Sequence, residues 1–332
     1  MKVLVLGAGA WGTALAQVLA DNHVEVGIWD IKKETLNALG STHTNPTYFN
    51  DLVFNEAIIP VYDLNQVNNV ELVLLAVPTG AIRPVMEQVM AVLNHKVTFI
   101  NVAKGFDPIS HDRLSVLIEK LGGQYCQNVV SLVGPSLAIE VAKRLLTSVA
   151  AVCEDVQEAI KVQHLFSNDY FRVYTSTDVI GSEAGVAIKN ILAIASGICS
   201  GLGQGDNARA ALMTRGLVEM RRYGVALGGN PDTYFGLTGI GDLIVTCTSS
   251  NSRNYSAGYQ IGKANSAEEF LQTNTKTVEG AKAVKVVHEE AKQKGISMPI
   301  CDQVYAVLYE GVKPSDAINA VSYTHLTLPT IA

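Results

Sequence analysis

Charge is what this 332-residue chain has little of: Asp, Glu, Lys and Arg together make up 17% of it, against 48% hydrophobic residues. A disordered chain is polar and highly charged, so that class is excluded. The length leaves room for two cores at about 100–200 residues per domain. A basic excess is also missing, the formal net charge being −6. Duplex binding needs many cations to neutralise phosphates, so nucleic acid is not expected as a partner, whereas a small phosphorylated ligand needs only a few. Cysteine is scarce: Cys126, Cys153, Cys199, Cys247 and Cys301 are scattered, odd in number and form no C-x-x-C pair. Reduced cytosolic thiols are the simple reading. The histidines show no metal-ligand spacing, and no metal site is expected. No uninterrupted apolar run approaches the ~20 residues of a membrane span. The run from Lys2 to Ala20 faintly imitates a signal peptide, but Gly7, Gly9 and Gly12 break it, and a strand followed by a helix explains it better. Val186 to Leu202 carries Lys189, Asn190 and glycines, and reads as a buried helix.

What is present is an alternation. Lys2–Leu6, Val24–Trp29, Leu72–Val77, Val97–Val102, Val129–Val133, Ser148–Cys153 and Phe171–Thr175 read as strands. Thr13–Asp21, Ile82–Leu93, Arg113–Leu121 and Val156–Phe166 between them have helical spacing. Continuously apolar strands alternating with helices predict an α/β domain with a parallel sheet covered on both faces. From about residue 180 the strands stop, and helical runs follow at Ser182–Cys199, Ala208–Leu227, Tyr255–Lys263, Val278–Lys294 and Asp302–Tyr309. The expected organisation is residues 1–178 as a dinucleotide-binding Rossmann-type domain and 179–332 as an all-helical substrate domain. There is no internal repeat and no Pro/Ser-rich linker. The tail from about Ser322 lacks a charged ending, and no function is placed there.

The first strand runs into Gly7-Ala8-Gly9-Ala10-Trp11-Gly12, which opens a helix. A G-x-G-x-x-G alone is weak evidence; between a strand and a helix, at the start of a β-α-β unit, it points to a dinucleotide. Gly7 permits the tight turn, Gly9 lets the backbone approach a pyrophosphate, and Gly12 lets helix and strand pack closely. The helix N-terminus offers free amides and a positive dipole end. Asp30 closes the second strand, where a carboxylate commonly accepts from ribose hydroxyls. It could equally cap the next helix. Trp11 is either a core aromatic or a lid on the cofactor.

Further polar groups sit at strand or helix ends, where open α/β sheets place their ligand crevice. Val102-Ala103-Lys104-Gly105 follows one strand and Val133-Gly134-Pro135-Ser136 another. Gly134 and Ser136 could present donors to a ligand; Ser136 is equally natural as an N-cap. Lys189-Asn190 lies inside the apolar run Val186–Ile194. A lone charge there is costly unless paired or facing a wet cavity. Lys189 therefore either snorkels to the surface or serves a catalytic cleft, where a partly desolvated lysine suits acid/base work. Gly239-Ile240-Gly241-Asp242-Leu243-Ile244-Val245-Thr246 and Ser252-Arg253-Asn254 set polar groups among glycines and apolar residues. Asp242 as an N-cap and Arg253 as a solvated residue are the plain alternatives.

Gly7-Ala8-Gly9-Ala10-Trp11-Gly12, Ala103-Lys104-Gly105, Gly134-Pro135-Ser136, Ile188-Lys189-Asn190, Gly241-Asp242-Leu243, Ser252-Arg253-Asn254 and Val278-Glu279-Gly280 occur in this order. As an ordered set they resemble the bacterial NAD(P)-dependent glycerol-3-phosphate dehydrogenases, over roughly residues 1 to 320. The resemblance implies a cytoplasmic, often dimeric oxidoreductase that uses NAD(H) or NADP(H). Its reaction is the reversible reduction of dihydroxyacetone phosphate to sn-glycerol 3-phosphate, which supplies phospholipid synthesis. It implies a helical domain like that of 6-phosphogluconate dehydrogenase, and no integral membrane association. It implies that Lys189 exchanges the proton at the substrate C2 oxygen. Lys104, Gly134, Ser136, Asp242, Ser252, Arg253 and Asn254 would contact substrate. Trp11, Lys104, Ala138, Arg253, Val278 and Glu279 would contact the cofactor, beside the glycine loop. One departure is Ala10, where the family often has serine. A 3-hydroxyacid or 6-phosphogluconate-type dehydrogenase is the rival within the enzymes, and Ser252-Arg253-Asn254 after Gly241-Asp242 favours the glycerophosphate reading. A nucleotide-sensing protein without chemistry is the rival from another class; an intact Lys104, Lys189 and Asp242 set speaks against it.

Overall fold

A computed structural model describes residues 1–274 and 277–324. Of the tail from Ser322, to which no function is assigned, residues 325–332 lie outside the described residues. The chain divides into two compact units, Met1–Glu183 and the remainder from Ala184.

Unit 1 is built on strands β1 (Val3–Leu6), β2 (Val26–Trp29), β3 (Ile59–Val61), β4 (Leu72–Leu75), β5 (Val97–Asn101), β6 (Cys126–Val133), β7 (Thr147–Val152) and β8 (Phe171–Ser176). They form one sheet in the order β3-β2-β1-β4-β5-β6-β7-β8. The pairs from β3 through β6 are parallel, β6 and β7 are antiparallel, and β7 and β8 are parallel. The order 3-2-1-4-5-6 is the doubly wound dinucleotide-binding arrangement, in which the ligand crevice lies beyond the carboxyl ends of the strands. Helices α1 (Ala10–Asp21), α2 (Lys33–Ser41), α3 (Ile82–Met90), α4 (Leu114–Gly122), α5 (Ala138–Ala142) and α6 (Val156–Phe166) connect the strands. Side chains alternate across a strand, so Val3 and Val5 enter one apolar layer and Leu4 and Leu6 the other. All four are completely buried, which is why β1 reads as an unbroken apolar run.

Two elements depart from the sequence expectation. β3 contains Pro60, which cannot donate to a ladder, and it survives because it is the edge strand of the sheet. β7 runs against β6, a reversal that its apolar pattern does not encode.

Unit 2 is helical. α7 (Val179–Gly201) begins in unit 1 and continues into unit 2. α8 (Asp206–Ala226), α9 (Asp242–Thr248), α10 (Arg253–Ala264), α11 (Glu268–Thr273), α12 (Glu279–Lys294), α13 (Pro299–Tyr309) and α14 (Pro314–Thr324) follow. α7 is long and apolar enough to cross a membrane, but 89% of its most apolar window is buried within the protein. That burial is the signature of a core helix.

Candidate active site

The glycine loop of unit 1 is shaped by contacts that tolerate no side chain. Gly7 adopts φ +108, and a Cβ on it would lie 2.7 Å from the Ala76 carbonyl oxygen. On Gly12 a Cβ would fall 1.9 Å from the Gly7 carbonyl, so loop and α1 touch backbone to backbone. Gly9, the N-cap of α1, is different: a Cβ there would meet nothing within 4 Å. The space a ligand backbone approach requires is thus open at the middle glycine, beside the free amides of α1. Those residues fit a dinucleotide pyrophosphate.

Asp30 stands at the carboxyl end of β2, where its Oδ2 accepts from Ala8 N at 2.6 Å and its Oδ1 from Lys32 N at 2.8 Å. It therefore braces the glycine loop while each oxygen retains acceptor capacity for a ribose hydroxyl. The N-cap of α2 is Lys32, not Asp30. Trp11, half-buried on the first turn of α1, packs against the apolar layer of Val3 and Val5.

Lys104 follows β5 and is half-buried; its carbonyl accepts from the Thr79 hydroxyl at 2.8 Å. Gly134, at φ +145, follows β6, and the Ser136 hydroxyl donates to its carbonyl at 3.1 Å. Ser136 caps no helix, since the N-cap of α5 is Leu137; Ala138 is the first residue of α5. Asp30, Lys104, Gly134 and Ser136 all lie beyond the carboxyl ends of their strands.

In unit 2, Lys189 and Asp242 form an ion pair, each side chain only 1% exposed. The surface reading of Lys189 does not survive this burial. Nor is Asp242 an N-cap: it is the first residue of α9, and the N-cap is Gly241. A wide π-type turn, Leu237–Gly241, delivers it, and such turns occur often at functional sites. The Thr246 hydroxyl donates to the Asp242 carbonyl at 2.6 Å and lies 3.3 Å from its Oδ1. The neighbouring Cys247 thiol is pushed up to about 12 by burial, opposed by the Lys189 charge, so it stays a thiol.

Asn254, buried on α10, donates from Nδ2 to Asn190 Oδ1 at 3.0 Å and accepts at Oδ1 from Gly280 N at 2.9 Å. Ser252 is the N-cap of α10, its hydroxyl accepting from Tyr255 N at 3.3 Å. Arg253 is exposed on the first turn of the same helix. Val278 is the N-cap of α12 and Glu279 its first residue. Unit 2 therefore brings Lys189, Asp242, Ser252, Asn254, Val278 and Glu279 into helix starts and buried contacts around α7.

Sequence reasoning passed over the supports. Asn45 donates to the Ala8 carbonyl at 2.9 Å and to Thr13 Oγ1 at 2.8 Å, fixing the glycine loop from behind. Asn45 comes from a loop with no local signal. Thr246 was findable, standing one helical turn after Asp242 on the same face.

Models of the N-terminal and C-terminal parts of NAD-dependent glycerol-3-phosphate dehydrogenases match residues 2–159 and 178–319. Glycerol-3-phosphate dehydrogenase [NAD(P)+] of Geobacillus kaustophilus is 46% identical over 322 residues, 96% of this chain and 94% of the relative. The protein of that name from Enterococcus faecalis is 47% identical over 310 residues, 93% and 91% of the two chains. The crystal structure of glycerol-3-phosphate dehydrogenase from Coxiella burnetii superposes with a TM-score of 0.90 at 34% identity, covering 97% of this chain and 98% of that one.

Proposed function

The chain belongs to the NAD-dependent glycerol-3-phosphate dehydrogenases, and from that premise we propose which of its residues carry the reduction of dihydroxyacetone phosphate to sn-glycerol 3-phosphate. The observation that carries the reading is the Lys189–Asp242 pair, each side chain 1% exposed, with Lys189 on the largely apolar α7. Burying two charges costs desolvation energy whatever they do, and a lysine so placed is suited to moving a proton.

A reduced dinucleotide held by its pyrophosphate at Gly7, Gly9 and Gly12 would supply a hydride to the C2 carbonyl carbon. Lys189 donates its Nζ proton to the alkoxide developing at C2 and is left as a neutral amine. In the reverse direction the amine takes that proton back. Asp242 orients the ammonium and compensates its charge between turnovers. Arg253 binds the substrate phosphate, its planar fork matching phosphate oxygens, with Asn254, Ser252 and the free amides of α10 beside it. Lys104, Gly134 and Ser136 hold the remaining polar atoms of the triose.

Gly7, Gly9, Gly12 and Trp11 receive the pyrophosphate and its surroundings, Asp30 the adenosine ribose, and Ala138, Lys104, Arg253, Val278 and Glu279 further parts of the cofactor. A carboxylate at Asp30 favours free ribose hydroxyls over a 2′-phosphate, while Lys32 and Lys33, both exposed beside it, offset part of that repulsion. The enzyme accordingly uses both cofactors and prefers NADH. The division of labour is a dinucleotide-binding N-terminal unit and a helical substrate unit, in a cytoplasmic homodimer that feeds phospholipid synthesis. Following the near-ultraviolet absorbance of NADH with dihydroxyacetone phosphate tests the reading. Turnover that requires both supports it; none overturns it, as does NAD⁺ reduction with a 3-hydroxyacid or 6-phosphogluconate equal to that with sn-glycerol 3-phosphate.

A further inference from the structure

The polar groups of unit 2 come from separate stretches of chain: Lys189 and Asn190 on α7, Arg253 and Asn254 at the start of α10, Val278 and Glu279 at the start of α12. At several points these stretches meet with no side chain between their backbones. A Cβ on Gly197 would lie 2.1 Å from the Tyr255 carbonyl oxygen, and one on Gly201 2.3 Å from that of Tyr259. Reciprocally, a Cβ on Gly258 would lie 2.0 Å from the Ile194 oxygen, and one on Gly262 2.4 Å from that of Ile198. α7 and α10 therefore meet backbone to backbone along two facing pairs of glycines. α12 docks in the same manner, since a Cβ on Gly280 would lie 2.4 Å from the Asn190 oxygen.

Glycine is the poorest ordinary residue for a helix interior, so four of them facing each other across two helices work against local propensity. Close approach is what they provide. Asn254 then ties the assembly at its functional end, donating to Asn190 and accepting from Gly280 N. The residue beside Lys189, the residue beside Arg253 and the first turn of α12 share one hydrogen-bonded node.

We propose that Gly258 and Gly280 are positioning residues: their backbone contacts with α7 set the separation between Lys189 and the Arg253–Asn254 pair, and so the fit to a substrate whose phosphate stands at one distance from its carbonyl. This rests on the roles given above to Lys189 and Arg253. Methyl groups at these positions must push the helices apart, because real Cβ contacts do not fall below 3.0 Å. For Gly258 the displacement is at least about 1 Å, and misplacement on that scale lowers turnover by roughly 10²-fold.

The test compares dihydroxyacetone phosphate with dihydroxyacetone in full-length Gly258→Ala, Gly262→Ala and Gly280→Ala, alongside unfolding temperature and NADH affinity. The three substitutions press on different points of the α7 backbone, at Ile194, Ile198 and Asn190, so loss of folding in one leaves the others to read. Gly216→Ala is the control, because its Cβ would press on the Leu192 side chain rather than on backbone. The expected result is a loss of about 10²-fold in kcat/KM for the phosphorylated substrate and at least tenfold less loss for the unphosphorylated one. NADH affinity falls by less than the phosphate-specific loss, because the glycine loop is untouched while Arg253, Val278 and Glu279 move with their helices, and Gly216→Ala keeps the preference. Equal losses on both substrates in the folded variants overturn the positioning role. Arg253→Ala is run in parallel: if it abolishes the preference while the glycine variants keep it, only the positioning role fails. If Arg253→Ala itself keeps the preference, the phosphate reading fails and the proposal with it.

Discussion

Replacing Lys189 by Met preserves much of the side-chain volume while removing the ammonium. Two effects are expected. On the proposed reading it removes the proton donor, which lowers kcat by roughly 10²–10⁴-fold, or about 3–5 kcal/mol of barrier. It also leaves Asp242 buried at 1% exposure without its cation. Breaking a buried pair by deleting one partner costs about 3–5 kcal/mol of stability, a large part of what a domain has. The two effects separate in the double variant Lys189→Met/Asp242→Asn, where the stranded charge is gone. That variant is expected to recover most of the unfolding temperature and none of the activity. NADH absorbance gives the turnover, and NADH fluorescence titration gives cofactor affinity, which should stay within about twofold because the glycine loop belongs to unit 1. A folded Lys189→Met enzyme that keeps more than about a tenth of wild-type kcat would refute the proton-donor role.

Arg253→Ala is expected to raise KM for dihydroxyacetone phosphate with a smaller effect on kcat, because the phosphate is remote from the reacting carbon. Comparable impairment on unphosphorylated dihydroxyacetone contradicts the clamp. Asp30→Ser should raise kcat/KM for NADPH relative to NADH, by about tenfold for each ~1.4 kcal/mol of repulsion removed. It should also weaken both cofactors, since Asp30 Oδ2 accepts from Ala8 N in the glycine loop; an unchanged ratio means the carboxylate does not face the ribose. Glu219, 2% exposed on α8, is held up to about 7 from 4.5 by burial, against two backbone donors at the start of α13, Ile300 N and Cys301 N. Its folded value lies above its unfolded value, so the folded state binds the extra proton and stability falls as pH rises from 4.5 to about 7. The loss is at most about 3 kcal/mol. Glu219→Gln should flatten that segment of a denaturant-midpoint profile, and an identical slope in both proteins rejects the assignment.

The parts of this molecule legible in the sequence are those settled within a few residues of chain. Gly7, Gly9 and Gly12 declare a strand–turn–helix because the turn geometry and the close contact between loop and α1 are local. The apolar strands declare a covered sheet because burial on both faces removes polar alternation. The ordered motifs identify the family for the same reason: each is a short stretch of backbone with a fixed task. Other features needed distant partners. Lys189 could be read as a surface residue or a buried one until Asp242, brought in by the π-type turn before α9, paired with it. Burial of a charge is decided by what else is desolvated around it, which helical spacing does not encode. Asp30 meets the Ala8 amide, and the Asn45 side chain the Ala8 carbonyl and Thr13, through contacts between separate elements. β3 escaped notice because Pro60 is excluded from a strand only when neighbours sit on both sides. The glycines of α7 and α10 look like helix breakers one at a time; only packing shows that their missing side chains let two backbones touch. Sequence determines what a segment can be, because propensity and periodicity act along the chain. Tertiary structure decides which polar groups share a dry environment, because that energy depends on neighbours the chain brings from far away.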